Sequence, residues 1–233
     1  MKRFYSKNIQ SNFIYLDNEE AQHCAKVLRC KTGEKIEVLN GNGCLFEAII
    51  EQINKHEVVA RITQIKKEEK ENKNQLSVAI CPTKNPARFE WFLEKATEIG
   101  VQQIFPIITS RTEKQSIKQD RMQNIILSAA KQSVQLFFPV LHPLQPLNNV
   151  IETTHFEQQF IAHCEDEKRH LKDVYSKHKS ALILIGPEGD FTSEEIIMAI
   201  NKNYIPVSLG NSILRVETAG VVACSMVQMV NEI

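Results

Sequence analysis

The chain has 233 residues, of which 42% are hydrophobic and 24% charged, with only 8 glycines and 8 prolines. That composition belongs to a folded chain with length for one large core or two modest ones, and it excludes collagen-like, low-complexity and disordered classes. Lys plus Arg and Asp plus Glu both number 28, so no global charge draws the chain to nucleic acid, and such binding would need a local basic patch.

At the N-terminus, Met1-Lys2-Arg3-Phe4-Tyr5-Ser6-Lys7 has no apolar stretch behind its charges, so no leader is expected and the protein reads as cytoplasmic. A basic bias follows, Lys26, Arg29 and Lys31 adding to Lys2, Arg3 and Lys7 against Asp17, Glu19 and Glu20. A short helix is expected over Glu19 to Leu28. Ile36 and Val38, then Phe46, Ala48 and Ile50, alternate with polar residues on either side of the turn sequence Asn40-Gly41-Asn42-Gly43, and Val58 to Ile65 adds a further strand. These signals predict a small β-barrel over residues 1–73. Lys66 to Asn74 contains no apolar side chain and reads as a linker.

From residue 74 to 233 the rhythm is strand, helix, strand, helix, which predicts an α/β domain on a parallel sheet. Leu76 to Ile80 is a strand, and Phe89, Phe92, Leu93, Ala96 and Ile99 make an amphipathic helix between Pro86 and Gly100. Ile104 to Ile108 is the next strand, and Met122, Ile125, Ile126, Ala129 and Ser133 line a second helix. Phe160 to Ala162 is a third strand. Ala181 to Ile185 is a purely apolar run as long as any in the chain, suited to the middle of a parallel sheet and far shorter than the ~20 residues of a membrane span, so no membrane association is expected. Thr192-Ser193-Glu194-Glu195 reads as a capping box, Pro206 to Leu209 as a last strand, and Ala219, Val222, Ala223, Met226 and Val230 as the buried face of a closing helix.

Six cysteines occur without a CxxC pair, and the adjacent pairs His23-Cys24 and His163-Cys164 lack the spacing of a zinc site, so no metal is expected. Gly-x-Gly-x-x-Gly, the P-loop and Gly-x-Ser-x-Gly are all missing, which removes dinucleotide-binding, P-loop and nucleophile-elbow chemistries. Two segments remain, both placed outside the carboxyl ends of predicted strands, where open parallel sheets hold ligands. One is Ile185-Gly186-Pro187-Glu188-Gly189-Asp190-Phe191, directly after the apolar strand, which reads either as a ligand loop or as an ordinary turn into the helix capped by Thr192. The other is Leu209-Gly210-Asn211-Ser212-Ile213-Leu214-Arg215-Val216-Glu217-Thr218-Ala219-Gly220, with Arg215 and Glu217 at the mouth of the last helix.

As a pair, these two segments resemble the signature of the ribosomal RNA small subunit methyltransferase E family of SPOUT methyltransferases. The resemblance extends to Arg3-Phe4-Tyr5, to His23 with Val27-Leu28-Arg29 and Gly33-Glu34, and to Lys84, Glu94 to Val101 and Arg111. It implies a PUA-like barrel joined to an α/β domain with a C-terminal trefoil knot, a homodimer, and methylation of uridine N3 in 16S rRNA within the assembled small subunit. It also implies S-adenosyl-L-methionine held largely by main-chain groups of Leu184 to Gly189, Leu209-Gly210, Ile213, Leu214, Arg215, Thr218 and Ala219, and RNA contacts from Arg3, His23, Lys26 and Arg29.

For that reaction Arg215 is the expected cation beside the uridine anion and Arg111 a second, with Glu217 or Glu188 orienting the arginine or accepting the proton. One departure stands out. Lys131-Gln132-Ser133-Val134-Gln135 lacks the acidic residue and the arginine that the family carries there, so either Lys131 substitutes for the missing cation or that contact is dispensable. The competing reading is a catalytically idle RNA-binding or ribosome-assembly protein; intact Gly186, Gly189, Gly210, Arg215 and Glu217 favour the enzyme.

Overall fold

The computed structural model describes residues 1–54, 56–67, 76–165 and 168–232, apart from the side chains of Asp17 and Asn18. The chain divides into two units, Met1–Lys70 with Leu127–Phe138, and Glu71–Ile126 with Pro139–Ile233. The expected boundary at residues 73 and 74 lies outside the described residues.

The first unit carries β1 (Lys2–Tyr5), β2 (Ile9–Gln10), β3 (Phe13–Asp17), α1 (Asn18–Gln22), a π-helical turn (His23–Val27), β4 (Lys35–Leu39), β5 (Cys44–Ile53) and β6 (Glu57–Lys67). Its sheet runs β1-β4-β5-β6-β3-β2, parallel only between β1 and β4. The predicted alternation faces inward: Ile36, Val38, Phe46, Ala48, Ile50, Val58, Ala60 and Ile62 share a core with Phe4, Ile14 and Leu16. Asn40 Oδ1 accepts from the amides of Asn42 (2.8 Å) and Cys44 (3.0 Å), which sets the β4–β5 turn.

The first segment pairs at both ends of this path: β1 lies on β4, with the Ser6 amide donating on to the Leu39 carbonyl at 3.1 Å, and β2 lies on β3, with the Tyr15 amide donating to the Asn8 carbonyl at 3.0 Å and Ser6 Oγ to the Tyr15 carbonyl at 2.6 Å. One expectation is corrected here. Lys66 and Lys67 continue β6, and Lys66 Nζ lies 3.0 Å from Glu47 Oε1, because a strand at the surface accepts charged side chains. The rest of the predicted linker, 68–74, lies outside the described residues.

The second unit is a sheet of parallel strands: β7 (Leu76–Ile80), β8 (Gln103–Ile108), β9 (Val140–Leu141), β10 (Gln145–Pro146), β11 (Gln158–Ala162), β12 (Ala181–Ile185) and β13 (Ile205–Val207). The order is β10-β8-β7-β12-β11-β13, with β9 also on β8. α2 (Pro86–Ile99), the first turns of α3 (Gln119–Ser133), α5 (Leu171–Val174) and α7 (Val216–Glu232) bury Phe89, Phe92, Met122, Leu171 and Ala223 with Val78, Ile80 and Ile183. α4 (Leu147–Thr153) and α6 (Ser193–Asn201) belong to a second cluster, in which Val150 and Ile196 pack with Ala79, Leu182 and Leu184. The helix signals hold: Asn85 Oδ1 caps α2 by accepting from Ala87 N at 3.0 Å, Gly100 ends it at φ 96°, and Thr192 and Glu195 form the reciprocal capping box of α6. Among the described residues, no helix is long and apolar enough to cross a membrane.

Candidate functional site

Parallel pairing sets the carboxyl ends of β12, β11 and β13 side by side. The loops leaving them line a cleft of about 810 Å³, the position at which an open α/β sheet receives a ligand. From β12 come Ile185, Gly186, Pro187, Glu188 and Asp190; from β11, Ala162, His163, Cys164 and Lys168; from β13, Val207 through Val216 and then Ala219.

Local chemistry fixes each loop. The amide of Asp190 donates to the Pro187 carbonyl at 2.9 Å and closes a tight turn, with Asp190 in the left-handed region at φ 63°. A Cβ on Gly186 would stand 3.0 Å from the Phe191 ring, tighter than an ordinary contact, so a larger residue there would press on that ring. At the start of α7, the Arg215 carbonyl accepts from the Ala219 amide at 2.7 Å. The Arg215 side chain is exposed on the cleft wall, and among the described residues its guanidinium has no hydrogen-bond or ion-pair partner. Partial burial and then the neighbouring Asp190 carboxylate push the Cys164 thiol above its ordinary range.

Of the residues singled out in the sequence, Ile185, Gly186, Pro187, Glu188, Leu209, Gly210, Ile213, Leu214, Arg215 and Ala219 come together in the cleft. Leu184, Gly189 and Thr218 do not line it. Leu184 is fully buried in the cluster of α4 and α6 with Leu182, since neighbours on a strand face opposite ways. Arg111 is absent from the wall as well: its Nη1 donates to the carbonyls of Gly189 (2.8 Å) and Phe191 (3.2 Å), so it holds the β12 loop. Glu217 is 7% exposed and its Oε1 lies 3.6 Å from Arg88 Nε of α2, which makes Arg88, not Arg215, its cation. Glu188 Oε1 accepts from the Lys84 amide at 3.0 Å.

Sequence reasoning missed the third loop, with Ala162, His163, Cys164 and Lys168, and gave no role to Asp190. The carboxyl-end rule that found the other two loops also applies to the predicted strand Phe160 to Ala162, and the signal was present there. The assembled wall mixes apolar Ile185, Val207, Leu209, Leu214 and Ala219 with charged Glu188, Asp190, Lys168 and Arg215. Such a lining suits a small molecule with a flat apolar part and charges of both signs.

Residues 70–228 match the RNA methyltransferase domain family, and residues 16–63 the RNA methyltransferase PUA domain. The ribosomal RNA small subunit methyltransferase E of Mesomycoplasma hyopneumoniae is 31% identical, over 95% of this chain and 96% of its own. The chain belongs to the ribosomal RNA small subunit methyltransferase E family. The crystal structure of a probable rRNA-methyltransferase from Porphyromonas gingivalis is similar with a TM-score of 0.91 and 35% identity, covering 100% of this chain and 99% of the other. A methyltransferase E from Neisseria gonorrhoeae, bound to S-adenosyl methionine, gives a TM-score of 0.87 at 26% identity over 98% of this chain and 97% of its own.

The resemblance to methyltransferase E also drew attention to four residues of the first unit. Arg3 is held within that unit: its Nε pairs with Glu37 Oε2 at 2.7 Å, and its Nη1 reaches the carbonyls of Lys131 and Gln132 at 3.4 Å, the terminal carbonyls of α3. His23 is half-buried, edge-on to Phe4 with centroids 6.1 Å apart. Lys26 and Arg29 are exposed, and among the described residues their side chains have no partner. Lys131 pairs with Glu20, both side chains largely buried, so it is not available as a substitute for the missing arginine of methyltransferase E.

Proposed function

We propose that this chain transfers a methyl group from S-adenosyl-L-methionine to N3 of a uridine in 16S rRNA within the assembled small ribosomal subunit. The observation that carries the reading is the cleft at the ends of β12, β11 and β13, whose wall brings Gly186, Leu209, Gly210 and Arg215 together. S-adenosylmethionine would supply an electrophilic methyl group on a sulfonium centre. Its fit rests on the apolar surface of Ile185, Leu209, Leu214 and Ala219 for a nucleobase, and on the close-packed loop at Gly186, which leaves main-chain groups open to the cleft.

The chain's own residues then divide the work. Uridine N3 becomes nucleophilic when its imide proton leaves, and the guanidinium of Arg215, exposed on the cleft wall, would steady the anion. Arg111 keeps the β12 loop in shape through the Gly189 and Phe191 carbonyls. Glu217 is held by Arg88, which leaves Glu188, on the wall itself, to orient Arg215 or take the proton. Lys26 and Arg29 are the exposed cations for phosphate contact, with the target base splayed from its stack.

The reading includes a trefoil knot in the C-terminal segment, supported by the return of α7 from beyond the edge strand β13 to pack on β7 and β12. It further includes a homodimer, domains over 1–73 and 74–233, and work in the cytoplasm.

The experiment is transfer of radiolabelled methyl from S-adenosylmethionine to small subunits lacking the modification, with naked 16S rRNA alongside and mapping of the product base. Arg215→Ala should keep S-adenosylhomocysteine binding while turnover falls about a hundredfold or more. Near-normal turnover withdraws the role of Arg215. A folded protein that binds no S-adenosylhomocysteine supports the idle RNA-binding reading instead.

A further inference from the structure

Among the charged groups of the cleft, Asp190 has a distinct environment. Its Oδ2 accepts from the Cys164 amide at 2.7 Å and its Oδ1 from the Phe191 amide at 2.8 Å, so both carboxylate oxygens are engaged by main-chain donors. Such charge-assisted bonds are roughly twice as strong as neutral ones. The two donors belong to different loops: Phe191 follows β12 and Cys164 follows β11. The Asp190 backbone is in turn fixed by its amide bond to the Pro187 carbonyl and sits at φ 63°, a conformation that Asp tolerates better than most residues.

The loop after β11 is the one that meets both of the others. On the β13 side, Ser208 N donates to the Arg169 carbonyl and Leu171 N to the Ser208 carbonyl, each at 3.0 Å. On the β12 side, besides Asp190, Ser193 Oγ donates to Glu165 Oε1 at 3.2 Å between exposed groups, where water competes. We infer that Asp190 is a positioning residue whose carboxylate clamps the loop leaving β11 onto the loop leaving β12, and so shapes the wall that receives the methyl donor. The methyl donor is that of the proposed function, on which this part of the inference rests; the clamp itself needs no ligand.

The chemistry of the clamp is specific to a carboxylate. An asparagine at position 190 keeps the volume and accepts the left-handed backbone, yet it has one acceptor oxygen and turns an NH2 group toward the second amide. Glycine keeps the backbone and loses both bonds. Asp190→Asn and Asp190→Gly therefore release the clamp without forcing a change of main-chain conformation, and Asp190→Asn tests the carboxylate itself.

The test uses the full chain and reads two quantities, after circular dichroism has shown both variants folded. The first, without ligand, is hydrogen–deuterium exchange at the Cys164 and Phe191 amides, read by fragmentation mass spectrometry. Exchange should speed up about fivefold or more at both amides in Asp190→Gly, and at one of them in Asp190→Asn, which keeps a single acceptor. The second is affinity for S-adenosylhomocysteine, expected to weaken about tenfold in both variants, with KM for S-adenosylmethionine rising more than kcat falls. Exchange unchanged from the wild type in Asp190→Gly overturns the clamp, as does unchanged affinity where the wild type binds. If the wild type binds no S-adenosylhomocysteine, the cofactor reading fails on its own and amide exchange alone still decides the clamp.

Discussion

The His142 ring stacks on Phe105 with centroids 4.0 Å and planes 9° apart, and its Nε2 lies 3.0 Å from Gln103 Oε1. Burial against that ring holds its pKa below the ordinary value of 6.5. The unfolded chain therefore takes up a proton at His142 before the folded chain does. The contribution of neutral His142 is fully present above pH about 6.5 and is lost as the pH falls through that value toward the folded pKa. His142→Phe keeps the stack and removes the titration. Urea unfolding at pH 7.5 and 5.5 should show a smaller loss of stability on acidification in the variant than in the wild type; equal losses would mean that His142 does not set this window. Side-chain pairings of this kind are the least legible layer of the sequence. Arg215 and Glu217 are two residues apart and invite an ion pair, yet Glu217 meets Arg88 of α2, and Lys131 meets Glu20, a residue more than a hundred positions away. Types and positions of charges can be read along the chain, whereas their partners follow from tertiary packing.

On α7, Gly220 faces α2 so closely that a Cβ would stand 2.6 Å from Phe92 Cε2 and 3.0 Å from Ile80 Cδ1. Phe92 is fully buried and has no room to swing aside. Gly220→Ala gains helix propensity but overpacks the α2–α7 seam, at a cost of about 1–3 kcal/mol. Thermal unfolding should show a lower Tm, and an unchanged or raised Tm would mean that the helices separate at no cost. The signals that place these helices were plain in sequence: apolar residues at helical spacing, Pro86 and Gly100 at the ends of α2, the capping box of α6. β12 begins and ends where its apolar run does, at Ala181 and Ile185. The closeness of α2 and α7 was not legible, because the glycine lies amid a motif whose other residues point to a ligand. Nor were α4, α5, β9 and β10, which span seven, four, two and two residues and are too short to show a period.

Across the molecule, the residues of the cleft all come from the second unit, yet from three chain segments whose spatial order, β12-β11-β13, differs from their order in sequence. Two of the three loops announced themselves, one through Gly186, Pro187 and Gly189, the other through Gly210 and Arg215. The third has no such composition, and only strand adjacency brings it in. The return of Leu127–Phe138 to the first unit was equally hidden, for it depends on Arg3 and Glu20 meeting the end of α3. Because one ligand touching all three loops would bind only when the second unit is folded, its binding must appear as stability. S-adenosylhomocysteine at ~100 times its dissociation constant adds roughly 2.7 kcal/mol, or about 5–10 °C in Tm for a chain of this size. The rise should persist in Arg215→Ala, whose guanidinium is proposed to serve the substrate, and shrink in Asp190→Asn, whose carboxylate is inferred to shape the wall. Loss of the rise in Arg215→Ala would make that arginine part of cofactor binding, and the turnover of the variant would then no longer report on the uridine anion.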